Sequence, residues 1–336
     1  MRTTQQTVFI TVSALVLGLL ATASSAQNGV QNVESSSDLF TKYPAARNQS
    51  VSPSSDSVPA VGPSSASPAS AMFVPQIAQY GGEAEPILVA QVEYISDVVI
   101  APQNYWAFIL DRYISHNNDG LDNGGLAQFD YAKLKNTPAD MDGLNAYITH
   151  MTQQKPSELS RNDAMAYWAN FYNALTVQVV TQNYPVKSIR KIKSGYRAGP
   201  WKRKLVTVEG NELSLDNIEH DILRPTYKTP LVHYMVNCAS IGCPNLKATP
   251  WQGATLIADQ EAAARAYINS SRGVKISDNR LQVSKIYKWF KVDFGDNTAG
   301  VLAHLSEYAA TDLRAALEGR RKIDKYTYDW AVNAPK

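Results

Sequence analysis

Cysteine is nearly absent: the 336-residue chain has two, Cys238 and Cys243, five positions apart. That count excludes the multi-bridge framework of small disulfide-rich domains. No Gly-rich phosphate loop follows a strand pattern and no Gly-x-Ser-x-Gly elbow occurs, so neither a nucleotide cradle nor an α/β-hydrolase serine is expected. A formal net charge of only +2 gives little general attraction for nucleic acid. After residue 20 no apolar run approaches the ~20 residues of a membrane-spanning helix. His116-Asn117-Asn118-Asp119-Gly120 begins like a calcium loop, yet Leu126 stands where the bidentate glutamate belongs. No repeat with a period of ~20–50 residues is visible.

Arg2, the apolar run Val8 to Leu20, and Ala21, Ala23, Ser24, Ser25 and Ala26 have the layout of a secretory signal peptide, with cleavage expected after Ala26. No cysteine sits near the cleavage site, which excludes a lipid-anchored lipoprotein. The mature chain is expected to be exported, periplasmic or secreted, and not an integral membrane protein. Residues 27–90 contain a Ser/Pro/Ala-rich tract, including Pro53-Ser54-Ser55, Pro63-Ser64-Ser65 and Pro68-Ala69-Ser70. Such composition buries too little surface to offset ordering entropy, so a disordered linker is expected there.

Residues 91–336 suit one domain, long enough to bury roughly 70–75% of its unfolded surface without a disulfide. Helical spacing runs from Asn162 to Gln182 and stops before Pro185. Ser214 is an N-cap for a helix Leu215 to Leu223, with Pro225 as its stop. A short buried strand is expected at Leu231 to Val236, and a helix from Pro250-Trp251 to about Asn269. A hairpin pairs Val274 and Ile276 with Leu281 and Val283. Ser284 caps an aromatic helix through Phe290, and a last helix spans Gly300 to Leu317. The class is α+β: a mainly helical compact domain with a few short strands.

Cationic residues collect in one stretch: Lys187, Arg190, Lys191, Lys193, Arg197, Lys202, Arg203 and Lys204, with no acid among them. A solvated loop is the plain reading; an anionic partner at Lys187–Lys204 is the functional one.

The chemistry gathers at His233-Tyr234-Met235-Val236-Asn237-Cys238-Ala239-Ser240-Ile241-Gly242-Cys243-Pro244. A free thiol is only a few per cent ionised at neutral pH, so a nucleophile needs a base or a neighbouring cation. His233 and His220 are the candidate bases for Cys238. Asn237 could orient an imidazole or donate to an oxyanion. Glu219 and Arg224 share the His220 helix, and Ser240 and Cys243 complete the turn as binding candidates. Asn173, with Asn170 and Tyr172, puts polar groups into an apolar helix, where they bond either the site or nearby backbone. Cys238 is expected to be the working sulfur, since Cys243 precedes Pro244 and has a restricted backbone. The alternatives are a Cys238–Cys243 disulfide clip, inert core thiols, or a metal site. Cys-x₄-Cys is looser than the usual zinc spacing, so no metal and no cofactor is expected.

Several blocks in order resemble the family catalogued as domain of unknown function 547. They are Trp168-Ala-Asn-Phe-Tyr-Asn-Ala-Leu-Thr176, Ser214-Leu-Asp-Asn-Ile-Glu-His-Asp-Ile-Leu-Arg224, the turn from His233 to Leu246, Val283 to Gly295, and Tyr328-Asp-Trp-Ala-Val-Asn333. Gly242 stands where that family often has serine. The resemblance, from about Tyr105 to Asn333, implies a shared fold and site location but no settled reaction. It implies members inside cells as well, where structural disulfides are rare, and so favours a working thiol. The expectation is a thiol-dependent hydrolase or acyltransferase of the cell envelope using Cys238, acting on a small-molecule or envelope-polymer substrate. The alternative is a non-catalytic envelope binding or scaffold domain.

Overall fold

The computed structural model describes residues 100–117, 125–194 and 197–336. The expected signal peptide and linker, the first residues of the domain, and most of the calcium-like segment lie outside the described residues. The fold is mixed α+β, mainly helical, with small two- and three-stranded sheets.

The central element is the helix Arg161–Asn183. Ser160 caps it by accepting from the Asp163 backbone N–H at 3.3 Å, and the helix ends before Pro185. Every residue from Ala164 through Val177 is buried, so this is a core helix rather than a one-faced surface helix. Trp168, Phe171 and Leu175 pack with Trp106, Leu110, Phe129 and Leu144 from the elements before it, and with Ile218 and Ile222 from those after it.

A second hydrophobic cluster forms around the expected hairpin. Val274–Ser277 pairs antiparallel with Arg280–Ser284, in the register Val274↔Val283 and Ile276↔Leu281. Asp278 and Asn279 both take positive φ, as a two-residue hairpin turn of this twist requires. A third strand, Lys325–Thr327, adds in parallel to Arg280–Ser284; the sequence reading missed it.

Four local readings change. Leu231 to Val236 is no strand: Pro230–Tyr234 forms a 3₁₀ helix, started by Pro230 and by the Thr229 hydroxyl accepting from Leu231 N–H at 3.2 Å. A short apolar run does not distinguish a strand from a buried helical turn, and here the capping threonine decides it. Pro225 does not stop its helix. Asn217–Leu223 is wound as a π-helix and leads into Arg224–Tyr227, with Arg224 N–H bonded to Glu219 C=O five residues back. The helix near Trp251 begins only at Leu256, because Asn170 already holds the Trp251 backbone N–H and C=O, each at 2.9 Å. The last helix breaks into Thr298–Tyr308 and Thr311–Leu317, where Asn269 bonds Tyr308 C=O at 3.0 Å and Ala310 N–H. No helix among the described residues is long and apolar enough to cross a membrane.

Candidate functional site

The cysteine turn is held by buried amides. Asn173, on the central helix, donates to Met235 C=O and accepts from Asn237 N–H, both at 2.8 Å. The Asn237 side chain donates to Pro244 C=O at 2.7 Å and accepts from Ala239 N–H at 2.8 Å. Ala239 takes φ 58°, a left-handed conformation costing an ordinary residue about 1–2 kcal/mol. Both asparagines therefore shape the turn, and the Asn237 amide is occupied rather than free to meet an oxyanion. Asn173 reaches backbone more than 60 residues away, supporting the site rather than its own neighbourhood.

Two further clamps act from outside. Arg272 donates to Ile241 C=O at 3.1 Å, to Cys243 C=O, and to Asn245 Oδ1 at 2.8 Å. The chain after Lys325–Thr327 runs antiparallel along the turn, with Ile241 N–H bonded to Ala331 C=O and Gly242 N–H to Asp329 C=O. A Cβ at Gly242 would lie 2.8–2.9 Å from Asp329 backbone atoms, so the tail can approach only because this residue is glycine.

The two sulfurs lie 2.7 Å apart, and both cysteines are free. Cys243 is buried, while Cys238 is partly exposed. Cys238 N–H donates to Cys243 Sγ at 3.1 Å, and the Tyr328 hydroxyl reaches Cys243 Sγ at 3.0 Å and Cys238 Sγ at 3.1 Å. Burial pushes the Cys243 thiol up, but donors from Cys238, Tyr328 and the backbone outweigh it and bring it below the ordinary value. Donation to Cys243, then burial, pushes Cys238 well up. The two thiols are thus pushed in opposite directions, Cys243 down and Cys238 up, as expected of a coupled pair. Cys238, the expected working sulfur, is the accessible partner, and Cys243, before Pro244, receives more donors.

Above the sulfurs opens a pocket of about 210 Å³. Of the sequence-derived candidates, Glu219, His220, His233, Cys238 and Cys243 line it together. The π-helical segment brings Glu219 and His220 there, with Asp216 on the turn before it. Tyr172 of the central helix also lines the pocket; burial, then the nearby Glu219 carboxylate, holds its hydroxyl well above the usual phenol range.

Neither histidine hydrogen-bonds a sulfur; the partners of Cys238 Sγ are Cys243, Tyr328 and Ser240, the last at 3.6 Å. His233 is turned to Asp293, with Nε2 2.7 Å from Oδ2, and Arg224 grips the same carboxylate at 2.6 and 3.2 Å. Burial raises the Asp293 carboxyl, but His233 and Arg224 overcome it and bring it down to about 2. Phe290 stacks on His233 at a ring separation of 4.2 Å, and Arg224 lies over Phe290 at 4.9 Å. His220 sits 3.9 Å from both Asp216 and Glu219. Arg224 is thus a support for His233 and lines a neighbouring cleft with His220 and Asp293. Ser240 is buried behind Cys238.

Sequence reading missed the aromatic wall. Trp201, Trp289 and Trp330, three of only six tryptophans, line this one pocket with Tyr328 and Phe290. Their separation along the chain hid it, although Tyr328-Asp-Trp330 was already marked as a block. Asp293 and Arg272 were missed for the same reason, and Asp216, though close to Glu219 and His220 in the chain, registers in the sequence only as a first-turn acid of its helix. In the basic stretch Lys187, Arg190, Lys191, Lys193, Lys202 and Lys204 are exposed and Arg203 is half-buried. Among the described residues no group of three or more His, Cys, Asp or Glu is placed to hold a metal ion.

No curated protein and no solved structure matches the chain. A family model described as protein of unknown function, DUF547, matches residues 156–268. That segment takes in the central helix, the π-helical segment and both cysteines, but not Trp289, Asp293, Tyr328 or Trp330. Over the part that builds the thiol turn, the chain therefore resembles the family described as protein of unknown function, DUF547.

Proposed function

We propose that the chain is a thiol-dependent hydrolase or acyltransferase that works outside the cytoplasm, in the cell envelope, with the cysteine pair as its reactive centre. The observation that carries this reading is geometric: the Cys243 sulfur lies 2.7 Å from the more accessible Cys238 sulfur at the pocket, with the Tyr328 hydroxyl reaching both. Cys243, rather than a histidine, then serves as the base. Its thiolate takes the Cys238 proton, Cys238 attacks an acyl carbon to form a thioester, and the departing amine or alcohol leaves with that proton. Water or a second nucleophile resolves the thioester and restores the thiol pair. His233, fixed by Asp293, and His220 line the pocket and are available to the substrate rather than to the sulfur. Export is supported by the charged, apolar and small-residue layout of residues 1–26.

A second reading is favoured by the same closeness of the sulfurs: an envelope binding domain with the turn clipped by a Cys238–Cys243 disulfide, its basic stretch holding an anionic partner. Such a short loop would gain about 2 kcal/mol on the chain-entropy view. The decisive experiment is a thiol count on the purified, denatured, unreduced protein, followed by mass analysis after exposure of the folded protein to an activated acyl ester. Two thiols and an acyl adduct on the Cys238 peptide, lost in Cys238→Ser, are expected. No titratable thiols and no adduct even after reduction would leave the clipped binding domain.

A further inference from the structure

The pocket has a chemical bias that the thiol reading does not use. Its lining includes two carboxylates, Asp216 and Glu219, and no lysine or arginine. Glu219 is buried, with His220 as its basic neighbour at 3.9 Å. On the aromatic side, Trp289 and Tyr328 lie 4.8 Å apart between ring centres, Tyr328 and Trp330 4.6 Å, and Trp289 and Trp330 5.4 Å. Trp201 extends the wall, 5.9 Å from Trp330. Trp289 remains 44% exposed, so a large ring is held at the surface of the pocket with little of the burial that usually stabilises tryptophan. Ring faces and desolvated carboxylates favour the same ligand charge: positive. Two of the lining rings already take a guanidinium from the chain itself, Arg190 over Trp330 at 5.2 Å and Arg224 over Phe290.

We infer that this pocket is an aromatic cage for a cation, and that it receives the ammonium or guanidinium end of the molecule on which the thiol pair acts. The word substrate rests on the thiol-dependent reading; the binding of a cation does not. A neutral sugar or acyl chain would use the rings alone and leave Asp216 and Glu219 with His220 as their only basic neighbour in the lining. A carboxylate or phosphate would meet both of them with like charge. An alkylammonium or guanidinium group satisfies rings and acids together.

The test uses the intact reduced protein with two probes of nearly one shape, choline and its uncharged carbon isostere 3,3-dimethyl-1-butanol, followed by tryptophan fluorescence and calorimetry. Choline is expected to bind at least about ten-fold more tightly. Trp289→Ala, a change at an exposed ring, should weaken choline binding several-fold at unchanged Tm, and Glu219→Gln should narrow the choline preference. If Glu219→Gln does not fold, the Trp289 variant decides alone. Equal affinity of the two probes, or no binding of either, overturns the cage. Preference for choline without any acyl adduct on Cys238 would keep the cage and remove the reaction; an adduct without that preference would do the reverse.

Discussion

The hydroxyl of Tyr328 lies 3.0 Å from the sulfur of Cys243, although 85 residues separate them. The contact exists because Lys325–Thr327 joins the hairpin in parallel and delivers the following residues along the cysteine turn. A phenol hydroxyl at that distance donates to the thiolate and helps set which sulfur keeps the proton.

Removing only that donor is a clean perturbation. Tyr328→Phe keeps the ring against Trp289 and Trp330 and should change stability by less than about 1 kcal/mol. The pH midpoint of alkylation should rise by roughly one unit, since a hydrogen bond to the charged form has gone. An unmoved midpoint would show that the hydroxyl does not stabilise the thiolate.

The opposite shifts of the two thiols make a second prediction. The reduced protein should show two alkylation steps with pH, the first below the ordinary thiol value and the second above it. Cys238→Ser and Cys243→Ser should each leave a single step. The label should appear first on Cys238, the exposed partner, through exchange of the proton with Cys243. Three identical one-step profiles would rule out coupling between the sulfurs.

Asn173 is expected to be a stability residue with a catalytic consequence. Asn173→Ala leaves Met235 C=O and Asn237 N–H buried without partners, at a cost of about 2–4 kcal/mol. The alkylation rate at Cys238 should fall as the turn relaxes. Urea midpoints test the first effect and peptide mapping the second; a fully stable variant with wild-type labelling would contradict both.

A buried histidine away from the site predicts acid sensitivity. His304 Nε2 lies 2.7 Å from the Tyr234 hydroxyl, and burial, then the charge of His233, brings its pKa from the ordinary 6.5 down to about 4. The unfolded chain takes up a proton near pH 6.5 that the folded chain refuses until about pH 4. Stability is therefore full above pH 6.5 and falls as the pH drops through that window, by on the order of 3 kcal/mol. His304→Phe should flatten this part of the profile. A wild-type Tm constant from pH 7 to 4 would refute the assignment.

Gly242 carries a structural prediction that bears on the family resemblance. Gly242→Ser places a Cβ against the Asp329 backbone and should cost about 1–3 kcal/mol unless the tail shifts. If it shifts, Tyr328 leaves the sulfurs and the first thiol step moves up with it. Tm and alkylation measured together read both outcomes; a variant unchanged in both would mean that the tail does not rest on this glycine.

How much was legible follows the range of the physics. Ser214 and Ser284 announced their helices, Pro185 the stop of the central one, and the alternation around Asp278-Asn279 its hairpin, because caps, proline and period-two patterning act within a few residues. Composition was likewise enough for the mainly helical α+β class, and two cysteines beside His and Asn were enough to mark the turn. Local patterning did not reveal that Asn217–Leu223 is π-wound so that the chain passes Pro225, nor that Thr229 and Pro230 prefer a 3₁₀ turn to a strand. In the first, tertiary contacts outweigh preferences worth only tenths of a kcal/mol per residue; in the second, the Thr229 cap and Pro230 outweigh the apolar strand pattern. The chemistry of the sulfurs lay furthest from reach. Which thiol is pushed down depends on donors such as Tyr328, which the tail delivers, and the role of His233 depends on Asp293, 60 residues later. Most of the elements and the place of the thiols were set by local sequence; the partners of the thiols came from the tertiary fold, because a hydrogen bond or a ring contact is set by distance in space, and distance along the chain does not encode it.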